Sequence, residues 1–190
     1  MKRRSLLKSG IYITGYTFLV GGTLSSITSC RQENTSLDGW QPTFLTSKEA
    51  ELVADIAEHI IPKTDTPGAK EALVHQFIDE NVQLNLTPEQ QRQFREGLKS
   101  FDVNANKLFQ KNFSALSEDE KIELLKEMDT EANANDKTNE PPIFSVLKDM
   151  TIFGYCTSEV GAKEFLIFDQ IPGAYQGCID YAEVGGTWAF

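Results

Sequence analysis

Residues 46–62 read TSKEAELVADIAEHIIP, and this stretch decides the fold class. Thr46 and Glu49 form a capping box: the threonine hydroxyl accepts from the Glu49 amide, and the glutamate reaches back to the amide of Thr46. Val53, Ile56, Ala57 and Ile60 then recur at helical spacing, and Pro62, which cannot continue the ladder, stops the run. The same grammar is written twice more. Thr87-Pro88-Glu89-Gln90 is a second box with proline at the first helical position, followed by Phe94, Leu98 and Phe101, with Leu108 and Phe109 as its continuation. Ser117-Glu118-Asp119-Glu120 is a third, followed by Ile122, Leu125 and Met128. Leu45, Leu86 and Leu116 each precede a capping residue, where an apolar side chain can fix the entry of its helix.

The intervals complete the pattern. Lys63 to Gly68 is a turn cluster, and Val74, Ile78 and Val82 predict a second helix from about Ala69 to Gln83. Residues 129–142 are polar, end in Pro141-Pro142 and read as a loop. Phe144, Leu147, Met150 and Phe153 predict a helix from Ile143 to about Thr157, and a shorter one is expected from Ser158, carrying Val160, Phe165 and Ile167. From Ile171 to Phe190 the chain is rich in glycine and aromatic residues, and irregular structure is expected. Tyr175, Tyr181 and Trp188 in this tail read first as core and second as partner surface. No segment alternates at period two. The reading is all-α: a single compact domain of five or six helices with an irregular C-terminal tail, spanning residues 43–190.

The first thirty residues do not read as fold. Lys2, Arg3, Arg4 and Lys8 make a basic start, and no charge follows from Ser9 to Ser29. A basic region followed by a glycine-diluted apolar one reads as an export signal over 1–29. Arg3-Arg4-Ser5-Leu6-Leu7-Lys8 is similar to the twin-arginine motif, in which Arg3, Arg4, Leu6 and Leu7 are the recognised positions. Ile27-Thr28-Ser29-Cys30 resembles a lipobox, with Cys30 as the acylated residue and 30–42 as anchor and polar tether. An uncleaved membrane helix over 11–29 and plain cleavage are the alternatives.

Charge excludes one class of partner. The net charge is −10, and setting the four N-terminal bases aside leaves 14 basic against 28 acidic residues. Such a body is repelled by nucleic acid. The chemistry-bearing residues are few. Asp55 with His59, and Glu71 with His75, stand at i, i+4 and could hold a metal, but the helical di-metal pattern places histidine at i, i+3 with further glutamates. Helix-surface pairs are the simpler reading. If Cys30 is acylated, Cys156 and Cys178 remain as a candidate disulfide in an oxidising compartment or as two separate thiols. No dinucleotide, P-loop, haem or nucleophile-elbow pattern is present in the sequence. Neither catalytic, cofactor-binding nor metal residues are therefore assigned.

Three runs carry a resemblance: His59-Ile60-Ile61-Pro62-Lys63-Thr64-Asp65-Thr66-Pro67-Gly68-Ala69, Thr151-Ile152-Phe153-Gly154-Tyr155-Cys156-Thr157-Ser158-Glu159-Val160-Gly161, and Pro172-Gly173-Ala174-Tyr175-Gln176-Gly177-Cys178. In order and spacing, over about 43–188, the chain resembles the gluconate 2-dehydrogenase subunit 3 family. The resemblance implies a small, non-catalytic α-helical subunit bound to a large FAD-dependent dehydrogenase of the glucose–methanol–choline type, acting on a sugar or polyol. It implies that this chain supplies the twin-arginine signal for its folded partner, and that a cytochrome c subunit accepts the electrons. FAD and haem c would belong to those partners. The lipobox would hold the complex on the periplasmic side of a bacterial membrane. The motif residues Pro62, Pro67, Gly68, Tyr155, Ser158, Pro172, Gly173 and Tyr175, with Tyr181 and Trp188, are candidate partner-interface residues. The rival reading is a stand-alone envelope lipoprotein that binds a ligand or scaffolds a complex.

Overall fold

The computed structural model describes residues 39–134, 141–169, 171, 173–174 and 178–189. The export motif (Arg3, Arg4, Leu6, Leu7), the lipidation residue Cys30, and Pro172 and Tyr175 lie outside the described residues. Five α-helices build the body: α1 (Ser47–Ile60), α2 (Val74–Asn85), α3 (Pro88–Phe109), α4 (Glu118–Ala134) and α5 (Ile143–Thr157). A short 3-10 turn (Phe113–Ala115), a π turn (Gly161–Phe165) and the four-residue α6 (Tyr181–Val184) complete the order. Among the described residues there is no strand, only a single parallel bridge between Ile167 and Trp188. No described helix is long and apolar enough to cross a membrane.

All three capping boxes form. Thr46 and Thr87 accept from the amides of Glu49 and Gln90, whose side chains bond back. The Ser117 amide donates to Glu120 Oε2 at 2.8 Å, and the Ser117 hydroxyl accepts from the Glu120 amide at 3.4 Å. Lys111 and the Ser117 amide together hold the Glu120 carboxyl at a pKa of about 2. Leu45 and Leu116 are buried, and Leu86 packs against the core, as apolar residues ahead of a cap should.

Helix α5 is the centre of the body and packs against α1, α2, α3 and α4. Phe144, Leu147 and Tyr155 of its inner face form one continuous cluster with Val53, Ile56, Ile78, Leu98, Phe101 and Leu124 of its neighbours, and Thr151 is buried on the same face. Burying such side chains gives roughly 1.5–3 kcal/mol each, and this drives the assembly.

Two boundaries differ from expectation. Helix α2 starts at Val74, not near Ala69, because Leu73 takes a left-handed conformation (φ 55) and residues 68–73 fold as successive turns. Helix α4 runs to Ala134, past Asp129, because residues 129–134 hold neither glycine nor proline and Ala132 is buried. The helix expected from Ser158 is one π turn, after which Ile167 pairs with the tail.

The segment before α1 is fastened to α2 from inside. Asp79, with no exposed surface, accepts from the amides of Thr43 (2.7 Å), Phe44 (3.1 Å) and Leu45 (2.7 Å) and from the Thr43 hydroxyl (2.8 Å). One turn earlier His75, 4% exposed, meets the Trp40 ring edge-on at 5.4 Å. Burial, with the Lys70 charge nearby, pushes the His75 pKa below its ordinary 6.5. Folded His75 is therefore neutral where the unfolded chain takes up a proton. Stability is full above about pH 6.5 and falls as pH drops from there toward the lower folded pKa. Thermal melts of the purified chain should show Tm falling through that window. His75→Leu should flatten the slope, and identical slopes in the two chains would place its origin elsewhere.

Candidate functional site

Two of the three sequence runs singled out above meet in space. Pro62 ends α1, and the chain turns back so that the Ala69 amide donates to the Ile61 carbonyl at 2.9 Å and the Thr64 amide to the Thr66 carbonyl at 3.0 Å. Glu58, on the last turn of α1, fills the loop. Its carboxylate accepts from the amides of Lys63 (3.1 Å) and Lys70 (2.8 Å). Gly68 lies flat beneath that carboxylate, where a Cβ would stand 2.3 Å from Oε1. A side chain at position 68 would expel the group that closes the loop.

Tyr155 reaches this loop from α5. It is 1% exposed, and its hydroxyl donates to the Pro67 carbonyl at 2.7 Å. Its own carbonyl ends the helix, accepting from the Ser158 amide (3.1 Å) and the Ser158 hydroxyl (2.7 Å). The same hydroxyl accepts from the Gly161 amide at 2.9 Å. Ser158 thus bonds both limbs of the turn.

Beside the loop lies a charged cluster. The Lys121 ammonium is 2.7 Å from Asp55 Oδ2 and 3.0 Å from Glu118 Oε1, while Lys70 holds Asp55 Oδ1 at 3.0 Å. Partial burial raises the Asp55 pKa, but Lys121 and Lys70 outweigh it and hold the carboxyl below its usual range. Burial lowers the Lys121 pKa, and Asp55 and Glu118 outweigh that in turn and raise it. The histidines do not make the expected pairs. His59 Nδ1 bonds the main-chain oxygen of Asp55 at 2.7 Å, and its Nε2 stands 3.1 Å from Glu118. Glu71 precedes α2 and pairs with Lys63 at 2.8 Å instead of with His75. Among the described residues no group of three or more His, Cys, Asp or Glu side chains is placed to hold a metal ion. The cluster braces α1, the loop and α4 against one another.

The candidate interface residues therefore divide. Pro67, Gly68, Tyr155 and Ser158 are brought together as internal joints, and Tyr155 and Gly68 are buried. Pro62 and Gly173 are exposed. Trp188 is 42% exposed, so it belongs to the surface and not to the core. Tyr181 opens α6. Cys156 and Cys178 are unbonded in the structure: one lies half-buried in the last turn of α5, the other exposed in the tail. Sequence reasoning missed Glu58, Asp79 and Lys121. Of these Asp79 left a signal, an acid one turn beyond His75 between the core positions Ile78 and Val82.

A family model described as gluconate 2-dehydrogenase subunit 3 matches residues 47–173. No curated protein and no solved structure matches the chain. The match takes in both runs joined by Tyr155 and covers most of the helical body. The chain belongs to the gluconate 2-dehydrogenase subunit 3 family, whose description is that of an accessory subunit of a dehydrogenase complex.

Proposed function

We propose that this chain is the non-catalytic small subunit of a membrane-associated, FAD-dependent sugar or polyol dehydrogenase, and that it escorts the folded catalytic subunit across the membrane on its own twin-arginine signal. The observation that carries the reading is the family match over 47–173. The use of the body's charged groups supports it: Glu58, Asp79 and Lys121 are all engaged in holding main chain or neighbouring helices, as in a rigid adaptor. Arg3-Arg4 followed by Leu6-Leu7 supports export in the folded state, which a partner carrying FAD requires. Ile27-Thr28-Ser29-Cys30 supports lipid attachment on the periplasmic side; electrons would leave through a cytochrome c subunit, as the family resemblance implies.

Replacing Arg3→Lys together with Arg4→Lys tests the escort role. The expected result is loss of most flavoprotein from the periplasmic fraction, with both subunits retained and still associated in the cytoplasm. Undiminished export of the flavoprotein would remove the escort role, and dehydrogenase turnover by this chain alone would remove the non-catalytic one.

A further inference from the structure

Where α2 meets α5 the missing side chain of Gly154 makes room for a ring: a Cβ there would stand 2.6 Å from Cδ1 of Phe77. The Phe153 ring, next along α5, lies 5.8 Å from the Phe77 ring at an interplanar angle of 41°. Phe77 is half-buried and packs against the core, whereas Phe153 is 61% exposed and Ile152 beside it 45%. One ring thus backs another, and the second is left to solvent. A ring supported by a neighbour and carried on a packed helix loses little further freedom on binding, and aromatic residues dominate protein interfaces. Scattered apolar residues on a surface need no explanation, but an exposed pair braced by a ring from a second helix is a ready anchor.

Charge selects what covers it. Asp149 stands one turn before Phe153 on α5, and Glu80 three residues after Phe77 on α2, spacings that put each acid on the face of its ring. Both acids are exposed. Helices α2 and α5 carry one lysine and no arginine between them, and that lysine, Lys148, is held by Asp129 at 2.8 Å. Among the described residues no ion pair engages Glu80 or Asp149. The edge thus combines exposed apolar side chains with unpaired acids. An anionic lipid surface is repelled by them. In a two-fold pairing of copies the same patch faces itself, and acid would meet acid. A protein face that offers an apolar pocket bordered by arginine satisfies both features, because a guanidinium fork-bonds carboxylates and stacks on aromatic rings.

We propose that the edge between α2 and α5, through Ile152, Phe153, Glu80 and Asp149, docks the dehydrogenase subunit, whose complementary face is an apolar pocket bordered by arginine. This rests on the accessory-subunit reading. The test measures binding of the full-length chain to the FAD-dependent subunit of its own complex. Phe153→Ser should weaken binding by about tenfold or more. Glu80→Lys with Asp149→Lys, which leaves the ring contact in place, should weaken it as well, and wild-type binding should fall as salt is raised. The control Val103→Ser with Ile122→Ser, at exposed positions of α3 and α4, should bind as wild type. If wild type binds and both edge variants bind equally well, the surface is wrong while the subunit reading stands. If Phe153→Ser weakens binding and the charge reversal does not, the border of the partner is not basic and the proposal falls. If the edge variants keep the dehydrogenase subunit but lose binding to phosphatidylglycerol vesicles or self-association in sedimentation, a membrane or a second copy is the occupant and the proposal falls likewise. A wild-type chain that binds no dehydrogenase subunit overturns both readings together.

Discussion

Asp79→Ala should lower the stability of the body by about 3–5 kcal/mol, with a Tm drop of roughly 10 °C or more for a domain of this size. The carboxylate accepts four hydrogen bonds from three consecutive residues, and all but one come from main-chain amides. A hydrogen bond to a charged acceptor contributes about 1.5–3 kcal/mol, and a buried amide left without a partner costs a further 1–3 kcal/mol. Thr43 and Phe44 regain some solvent, so these losses do not add in full. Leu45 is buried and does not, and its amide then has no acceptor. The alanine also leaves a cavity in the face of α2 that holds Trp40 and the residues before α1. Asp79→Asn keeps one acceptor oxygen but turns N–H groups toward N–H groups, and should fall between wild type and alanine. Thr43→Val removes only the hydroxyl donor and should cost about 1 kcal/mol. Denaturant titration checks the order. An alanine variant within 1 kcal/mol of wild type would mean that water replaces the carboxylate.

The contrast between what was legible and what was not follows the range of the interactions. Each capping box is complete within four residues, so its chemistry can be read before any fold is known. The leucines at 45, 86 and 116 are local signals of the same kind. Asp79 acts on residues 34 to 36 positions away, and no local pattern names its partners. Leu73 shows a second limit: five residues that look helical were overruled by a turn, because Glu58 gathers the amides of Lys63 and Lys70 around its carboxylate. The tail shows a third. Aromatic composition measures how much apolar surface there is, not which way it faces, and Trp188, paired with Ile167, stays 42% exposed. For the site, the sequence runs named residues but not what they touch. Tyr155, Gly68 and Ser158 lie within those runs, and the structure shows the loop and the turn closing on them.

Gly161→Ala tests that last point and should cost about 2–4 kcal/mol. An added Cβ would stand 1.9 Å from the main-chain oxygen of Tyr155 and 3.2 Å from the Ser158 hydroxyl bonded to it. A side-chain tip can swing away from such a contact, but a carbonyl at the end of a packed helix cannot move without its residue. Displacing Tyr155 draws its hydroxyl off the Pro67 carbonyl, so the damage should pass from the turn to a loop 88 residues away in sequence. Gly154→Ala is the comparison, because its Cβ would meet the half-buried Phe77 ring at 2.6 Å, a side chain rather than main chain, and the loss should be smaller. Tyr155→Phe removes the hydroxyl alone and should cost about 1–2 kcal/mol. If Gly161→Ala acts by moving Tyr155, the two changes share part of their effect, and the double variant loses less than the singles together. Strict additivity would show that the turn yields elsewhere and leaves Tyr155 in place.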